Sequence, residues 1–308
     1  MSQPPLPPVT PPAPADAEVF ETHRRHLRGL AYRMLGSRAE AEDVVQDTWL
    51  RWQASAPQAL NDTRAYLSQI ATRLCLDRIK SAQWQREQYV GSWLPEPLVE
   101  EAAYFDAGPE AATQLASDLS FAFLLALQRL TPLERAAFLL LDVFDMDMPD
   151  VAQMLSRTPQ ACRQLLSRAR DHVRQDKVRA DLDEGVRMRL SMAFAQALRS
   201  GDLTALAQTL AADTVFITDG GGKVNAAPRP IQGAERVAKA LYGFYRLADM
   251  SRMIVRPASI NGLSGVVMSE LDGTPIQTMA LEFEASGAIA AIYVVRNPDK
   301  LRHLRPSP

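Results

Sequence analysis

Apolar residues recur at helical spacing at Phe20, Leu27, Leu30, Ala31, Met34 and Leu35, until Gly36 stops the run. This pattern predicts an amphipathic helix from about Glu18, preceded by a proline-rich segment, 1–17, that reads as a disordered tail. Ser37 and Glu40 form a capping-box pair that opens a second helix through Val44, Val45, Thr48, Trp49 and Trp52, closed by Pro57. Asn61 or Asp62 caps a third helix with Tyr66, Leu67, Ile70, Ala71, Leu74, Cys75 and Ile79 on its apolar face. Residues 18–87 are therefore expected to form an all-helical module. The period fails over 88–117, where Trp93-Leu94-Pro95-Glu96-Pro97 keeps its own backbone extended, and this stretch reads as a linker.

A second helical module is expected over 118–179. Thr131-Pro132-Leu133-Glu134 is a capping box with proline at the first helical position, ahead of Ala137, Phe138, Leu141 and Val143. Asp147 is placed to cap a short helix holding Val151, Ala152 and Leu155, and Ser156 with Arg157 makes a turn. Thr158 and Pro159 then open a helix striped by Cys162, Leu165, Leu166 and Ala169. Short helix, tight turn and longer helix is helix-turn-helix spacing. Residues 180–308 change texture: a helix from Leu182 to Leu198 precedes β-branched segments at 215–218, 253–260, 266–271, 278–284 and 288–295, interrupted by a helix near 235–244. The expected fold class is multidomain, with two all-α modules followed by an α+β unit whose curved sheet is mostly antiparallel.

Charge adds little at the level of the whole chain. Its 308 residues carry 34 Lys plus Arg against 36 Asp plus Glu, net -2, so any nucleic-acid-binding surface must be local. No apolar run reaches the roughly 18–20 residues that span a bilayer, which excludes a helical membrane protein. Cys75 and Cys162 lie far apart in helical patterns, which suits core residues in a reducing cytoplasm better than a disulfide framework or zinc site. His23 and His26 lie three apart but have no further ligand cluster, so neither a metal nor a cofactor is expected.

The helix after the tight turn is basic where its apolar stripe leaves it free. Arg163, Gln164, Ser167, Arg168, Arg170 and Arg174 suit base edges and phosphates, and the plainer alternative is a solvated arginine-rich face. In the first module an acidic-edged helix (Glu42, Asp43, Asp47) precedes a basic and aromatic one (Tyr66, Arg73, Arg78, Lys80, Trp84). Rings interleaved with cations suit unstacked single-stranded bases, although Tyr66 also fits the apolar stripe.

Ala41 to Leu50, Arg64 to Leu67 and Leu74 to Lys80 resemble region 2 of the extracytoplasmic-function group of bacterial RNA polymerase sigma factors, in the sigma-70 family. Leu130 to Phe138 with the helix-turn-helix to Arg174 resembles their region 4. The last third resembles the SnoaL-like branch of the NTF2-like α+β cone. A sigma subgroup carrying that domain has motifs seen here as Trp93-Leu94-Pro95-Glu96-Pro97, Asp219-Gly220-Gly221-Gly222-Lys223 and Asn297-Pro298-Asp299-Lys300-Leu301. The resemblance implies that Glu42, Asp43, Gln46 and Asp47 dock on the clamp helices of the core RNA polymerase largest subunit. It further implies that Tyr66, Arg73, Arg78, Lys80 and Trp84 melt and read the downstream (-10) promoter element, and that the helix from Thr158 to Arg170 reads the upstream (-35) one. Where relatives often carry a polar reader late in the third helix, this chain has Arg73-Leu74-Cys75-Leu76.

Cones of this kind often hold a small molecule, and some are enzymes. Here no histidine lies between His172 and His303, leaving Asp213, Asp219 and Asp272 as candidate carboxylates. Asp219 runs into three glycines, which suits a turn and a docking loop better than catalysis. The three motifs are therefore expected to be interdomain contacts through which the cone regulates a non-catalytic, cytoplasmic promoter-specificity factor in cis, with an unidentified small-molecule ligand a further expectation. Two other classes compete: a helix-turn-helix regulator with a ligand-sensing cone, which has no use for the acidic helix, and a cone-type enzyme with helical appendages.

Overall fold

The computed structural model describes residues 14–55, 62–87, 89–100, 119–173 and 182–305, without the side chains of 14–16 and 82–87. Most of the expected tail lies outside these residues, but helix α1, Pro14–Leu35, starts earlier than its apolar stripe. Proline at a first helical position forfeits no bond, so the helix extends ahead of its core-facing residues. Helix α2 is Arg38–Ser55 and α3 is Thr63–Glu87. The Ser37 hydroxyl accepts from the Glu40 amide at 3.3 Å, and Asp62 caps α3 through the Ala65 amide at 2.9 Å. The Pro57 stop lies outside the described residues.

Next come α4, Phe121–Arg129, α5, Pro132–Phe138, which continues as a π-helical turn over Leu139–Val143, α6, Met148–Met154, and α7, Pro159–Val173. The Thr131/Glu134 capping box closes in both directions. Asp147 sits at the N-cap of α6, but its side chain makes no capping bond, contrary to expectation. Pro149 in the first turn has already removed one of the donors it would satisfy. Ser156 takes a left-handed φ of 53° in the turn, and Thr158 caps α7 through the Ala161 amide at 3.2 Å.

The two helical modules share one apolar core that runs from Phe20, Leu27 and Tyr32 through Leu67 and Cys75 to Leu124, Ala137, Leu139 and Cys162. Polar bridges reinforce it. The buried Arg135 guanidinium donates to the Met34 carbonyl at 2.5 Å, and Arg64 donates to the Phe144 carbonyl at 2.6 Å.

The last third opens with α8, Glu184–Ser200, and an unanticipated short helix, α9, Leu203–Gln208. Strands β1 (Leu210–Asp219), β2 (Ile231–Gln232), β3 (Met253–Ile260), β4 (Leu263–Glu270), β5 (Pro275–Phe283) and β6 (Ile289–Val295) form one sheet in the order β2-β1-β6-β5-β4-β3, with α10, Ala234–Leu247, between β2 and β3. Every pairing is antiparallel except β1 with β6. The α+β cone is thus as expected, with β1 and β4 longer than their β-branched runs. Strand β6 alternates between two cores. Ile292 and Val294 pack under α8 and α10 with Phe194, Phe216 and Leu241, whereas Ala291, Tyr293 and Val295 pack with Leu94 of the linker and Phe121 of α4. A strand covered on both faces is apolar at every position, which is how Ile289-Ala290-Ala291-Ile292-Tyr293-Val294-Val295 reads.

Candidate functional site

The three short motifs converge on the carboxylate of Asp219, which is fully buried at the end of β1. One of its oxygens accepts from the Tyr89 hydroxyl at 2.5 Å and the Gly221 amide at 3.0 Å. The other accepts from the Leu94 amide at 2.9 Å and the Lys300 ammonium at 2.7 Å. Lys300 also donates to the Leu94 carbonyl at 2.5 Å and lies 4.4 Å from the centre of the Trp93 ring. It belongs to α11, Pro298–Leu301, which Asn297 caps through the Asp299 amide. The Asn297 amide group donates to Tyr89 at 2.9 Å, and burial, with the neighbouring Asp219 carboxylate, pushes the Tyr89 phenol up. Lys223 pairs with Asp299, and this bond holds the Asp299 carboxyl below its ordinary range. Gly221 has φ of 60°, and a Cβ there would sit 2.3 Å from the Asn297 amide nitrogen, so both conformation and space require glycine. Leu94 and Leu301 are buried in the core beneath, whereas Gly222 and Pro298 are exposed. With four donors satisfied and no route to solvent, Asp219 acts as the hub of a clasp and lacks the setting of a general base.

The same linker segment reaches the start of α2. The buried Glu96 carboxylate accepts from the Ser37 hydroxyl and the Arg38 amide, both at 2.9 Å, and from the Ala39 amide at 3.4 Å, supplying the anion that a helix N-terminus favours. Its other oxygen lies 3.1 Å from the His303 ring, whose second nitrogen is 2.9 Å from the Pro97 carbonyl. Burial pulls the Glu96 carboxyl upward, but His303, Ser37 and the Ala39 amide outweigh it and hold it below its ordinary value. Trp93 packs over Gly36, where φ is 72° and a Cβ would stand 2.5 Å from the ring.

Sequence reasoning missed a second hub. Asn261 is fully buried in the β3–β4 turn with φ of 50°. Its oxygen accepts from the Leu98 amide at 3.0 Å. Its nitrogen donates to the Tyr32 hydroxyl at 2.9 Å and to the Leu119 carbonyl at 2.8 Å. Tyr32 in turn donates to the Glu96 carbonyl at 2.8 Å. One side chain thus joins α1, the linker, the entry to α4 and the cone. The available signal was Asn261-Gly262 between two strands, a hairpin pair that also places a polar side chain at the sheet edge.

On α2, Asp43 and Gln46 are exposed and Glu42 and Asp47 half-buried. Glu42 pairs with Arg28 at 3.1 Å. Arg78 of α3 reaches Asp47 at 2.7 Å, Asp43 at 3.8 Å and the Glu40 carbonyl at 2.8 Å, so it ties the acidic and basic helices together. Arg73 and Lys80 are exposed, Tyr66 is half-buried with its ring 6.1 Å from Trp52, and the Trp84 side chain lies outside the described residues. On α7, Thr158, Gln160, Arg163, Gln164, Ser167 and Arg168 share an exposed surface opposite Cys162, Leu166 and Ala169. Arg170 is also exposed but is held by both oxygens of Asp142 at 2.7 Å, which raises its pKa. Among the described residues there is no cluster of three metal-ligating side chains and no helix long and apolar enough to cross a membrane.

Comparison with known proteins gives these surfaces a context. The family models described as Sigma-70 region 2 and Sigma-70, region 4 match residues 19–85 and 120–173. The chain is similar to the ECF RNA polymerase sigma factor SigJ of Mycobacterium tuberculosis (strain ATCC 25618 / H37Rv), with 36% identity over 91% of each chain. It is also 28% identical to the probable ECF RNA polymerase sigma factor SigI of the same organism, over 93% of this chain and 94% of that one. The crystal structure of the Mycobacterium tuberculosis extracytoplasmic function sigma factor SigJ superposes with a TM-score of 0.73 and 32% identity, covering 93% of this chain and 98% of that chain.

Proposed function

The chain belongs to the ECF RNA polymerase sigma factors, which direct the polymerase to promoters, and from that premise we propose that its cone regulates this activity in cis through the Asp219 clasp. In this reading Glu42, Asp43, Gln46 and Asp47 dock on the clamp helices of the core polymerase. Tyr66, Arg73, Arg78, Lys80 and Trp84 serve the -10 element, and Thr158, Gln160, Arg163, Gln164, Ser167, Arg168 and Arg170 serve the -35 element. The observation that carries the proposal is Glu96: the residue that caps the polymerase-docking helix lies on a linker whose neighbouring residues are bonded to Asp219 and Asn261 of the cone. Release of the linker removes the cap from α2 and withdraws Leu98 from the core shared by the two helical modules, which loosens the packing that sets the separation of the DNA-reading helices.

The test is in-vitro transcription from a genomic promoter library with core polymerase and three proteins: the full chain, a version ending at Arg179, and full-length Glu96→Gln. Start sites used by all three, with yields that shift in the same direction for both altered proteins, are expected. Identical yields from all three overturn regulation in cis.

A further inference from the structure

Between α8, α10 and the concave face of the sheet lies a cavity of about 970 Å³, near the upper end of the roughly 300–1,000 Å³ typical of small-molecule sites. Its wall is apolar, with Phe194, Phe216, Leu241, Met279 and Leu281 prominent. Three guanidinium groups also line it, Arg187 and Arg296 half-buried and Arg199 exposed, and among the described residues no carboxylate forms an ion pair with any of them. The Nε atoms of Arg187 and Arg296 are buried without a hydrogen-bond partner. Two acids share the wall: Glu184 is exposed, and Asp249 is already committed to the amide and hydroxyl of Ser251. A cation facing an apolar cavity without a counter-charge is an unfavourable arrangement that an anion relieves, and the planar guanidinium fork fits a carboxylate.

Arg296 also connects this wall to the clasp. Its guanidinium donates to the Asn225 carbonyl in the segment after the glycines, and its backbone amide donates to the Asp219 carbonyl at 2.7 Å. Thr218, on the same wall, precedes Asp219 and is bonded to the Ala227 amide at 2.7 Å.

We propose that the cavity binds a long-chain amphiphilic monocarboxylate, with Arg296 as the anion anchor, Arg187 in support and the chain laid along the apolar wall. Occupancy draws the Arg296 side chain from Asn225 toward the carboxylate and, through Asp219 on one side and Asn297 on the other, alters the hold on Leu94. Only this second step rests on the regulatory reading above; the binding step stands apart from it.

The experiment titrates the delipidated full chain with decanoate, dodecanoate and tetradecanoate below their aggregation limits, followed by calorimetry and native mass spectrometry, with dodecyltrimethylammonium as the same tail carrying a cation. One site per chain is expected, with affinity rising about fourfold per added methylene and dodecanoate at least tenfold tighter than the ammonium amphiphile. Arg296→Gln abolishes that preference. Arg187→Gln, which weakens it, and Ser191→Phe, which fills the cavity, provide independent checks should Arg296→Gln fail to fold. Hydrogen exchange of the Leu94 amide changes on loading with dodecanoate. Absence of saturable one-site binding, equal affinity for both head groups, or an unchanged preference in the folded arginine variants overturns the site. Binding that leaves Leu94 exchange unchanged overturns the link to the clasp. None of these readouts involves polymerase, so failure of the site leaves regulation in cis to the transcription assay.

Discussion

Replacing Asp219 with asparagine keeps the shape of the clasp and removes its charge. The wild-type carboxylate satisfies the Tyr89 hydroxyl, two amides and Lys300, whose side chain is only 13% exposed. Asparagine has one acceptor oxygen and an NH₂ group, so either the Leu94 or the Gly221 amide meets a donor, and Lys300 loses its counter-ion. Removing one member of a buried ion pair costs about 3–5 kcal/mol. The Leu94 carbonyl and the Trp93 ring, which still face the ammonium, place the expected loss near the lower end, about 3 kcal/mol. The assay is native-state hydrogen exchange of the Leu94 amide, which donates directly to Asp219. A loss of about 3 kcal/mol corresponds to exchange on the order of 10²-fold faster. Adding Lys300→Met removes the stranded charge, so the double variant exchanges more slowly than the sum of the two single effects implies. Exchange within about threefold of wild type in Asp219→Asn, together with strict additivity in the double variant, would refute the clasp as the element holding the linker.

Other perturbations follow from the same geometry. Gly36→Ala forces an alanine into a left-handed conformation against the Trp93 ring and is expected to lower stability by about 2 kcal/mol in chemical denaturation. Asn261→Ala strands the Leu98 amide, the Leu119 carbonyl and one bond of Tyr32, with an expected loss of about 3 kcal/mol and faster exchange at Leu98. His26, which bonds Ser68 at 2.7 Å and packs edge-on to Phe144, is lowered from 6.5 to about 3, first by burial, then by Arg64, His23 and Arg33, with Asp62 opposing. A depressed folded-state pKa gives stability that is fully present above pH 6.5 and is lost as pH falls toward 3. His26 by itself should therefore lower stability in urea denaturation by roughly 1.4 kcal/mol between pH 7.5 and pH 5.5, with His23, also lowered by burial, adding in the same direction, so the difference shrinks by about that amount in His26→Gln. Asp43→Ala with Gln46→Ala, both exposed on α2, is expected to weaken the complex with core polymerase at least tenfold without changing the melting temperature. An unchanged complex would refute α2 as the polymerase-docking surface and place it elsewhere on the chain.

Local physics made much of this chain legible. The apolar stripes of α1 to α3 and α7, the Thr131/Glu134 box and the Thr158 cap are short-range features whose periodicity and hydrogen bonds are complete within one or two turns, so they survived folding as read. The exposed basic face of α7 was equally legible, because a buried stripe at helical spacing determines what remains outside. What the motifs around Trp93, Asp219 and Asn297 do together was not written in any one of them. Their bonds join residues more than 80 positions apart in the case of Lys300 and Asp219, and 125 in the case of Leu94 and Asp219. Only the tertiary structure could decide that Glu96 caps α2, that Arg78 and Arg170 are committed to Asp47 and Asp142, and that the two helical modules share a core. The physical reason is that a charge or hydrogen-bonding group declares its type in sequence, whereas its partner is settled by which surfaces the buried apolar faces bring together. The double-sided apolarity of β6 is the one place where the sequence recorded that second surface, without naming the linker and α4 as its occupants.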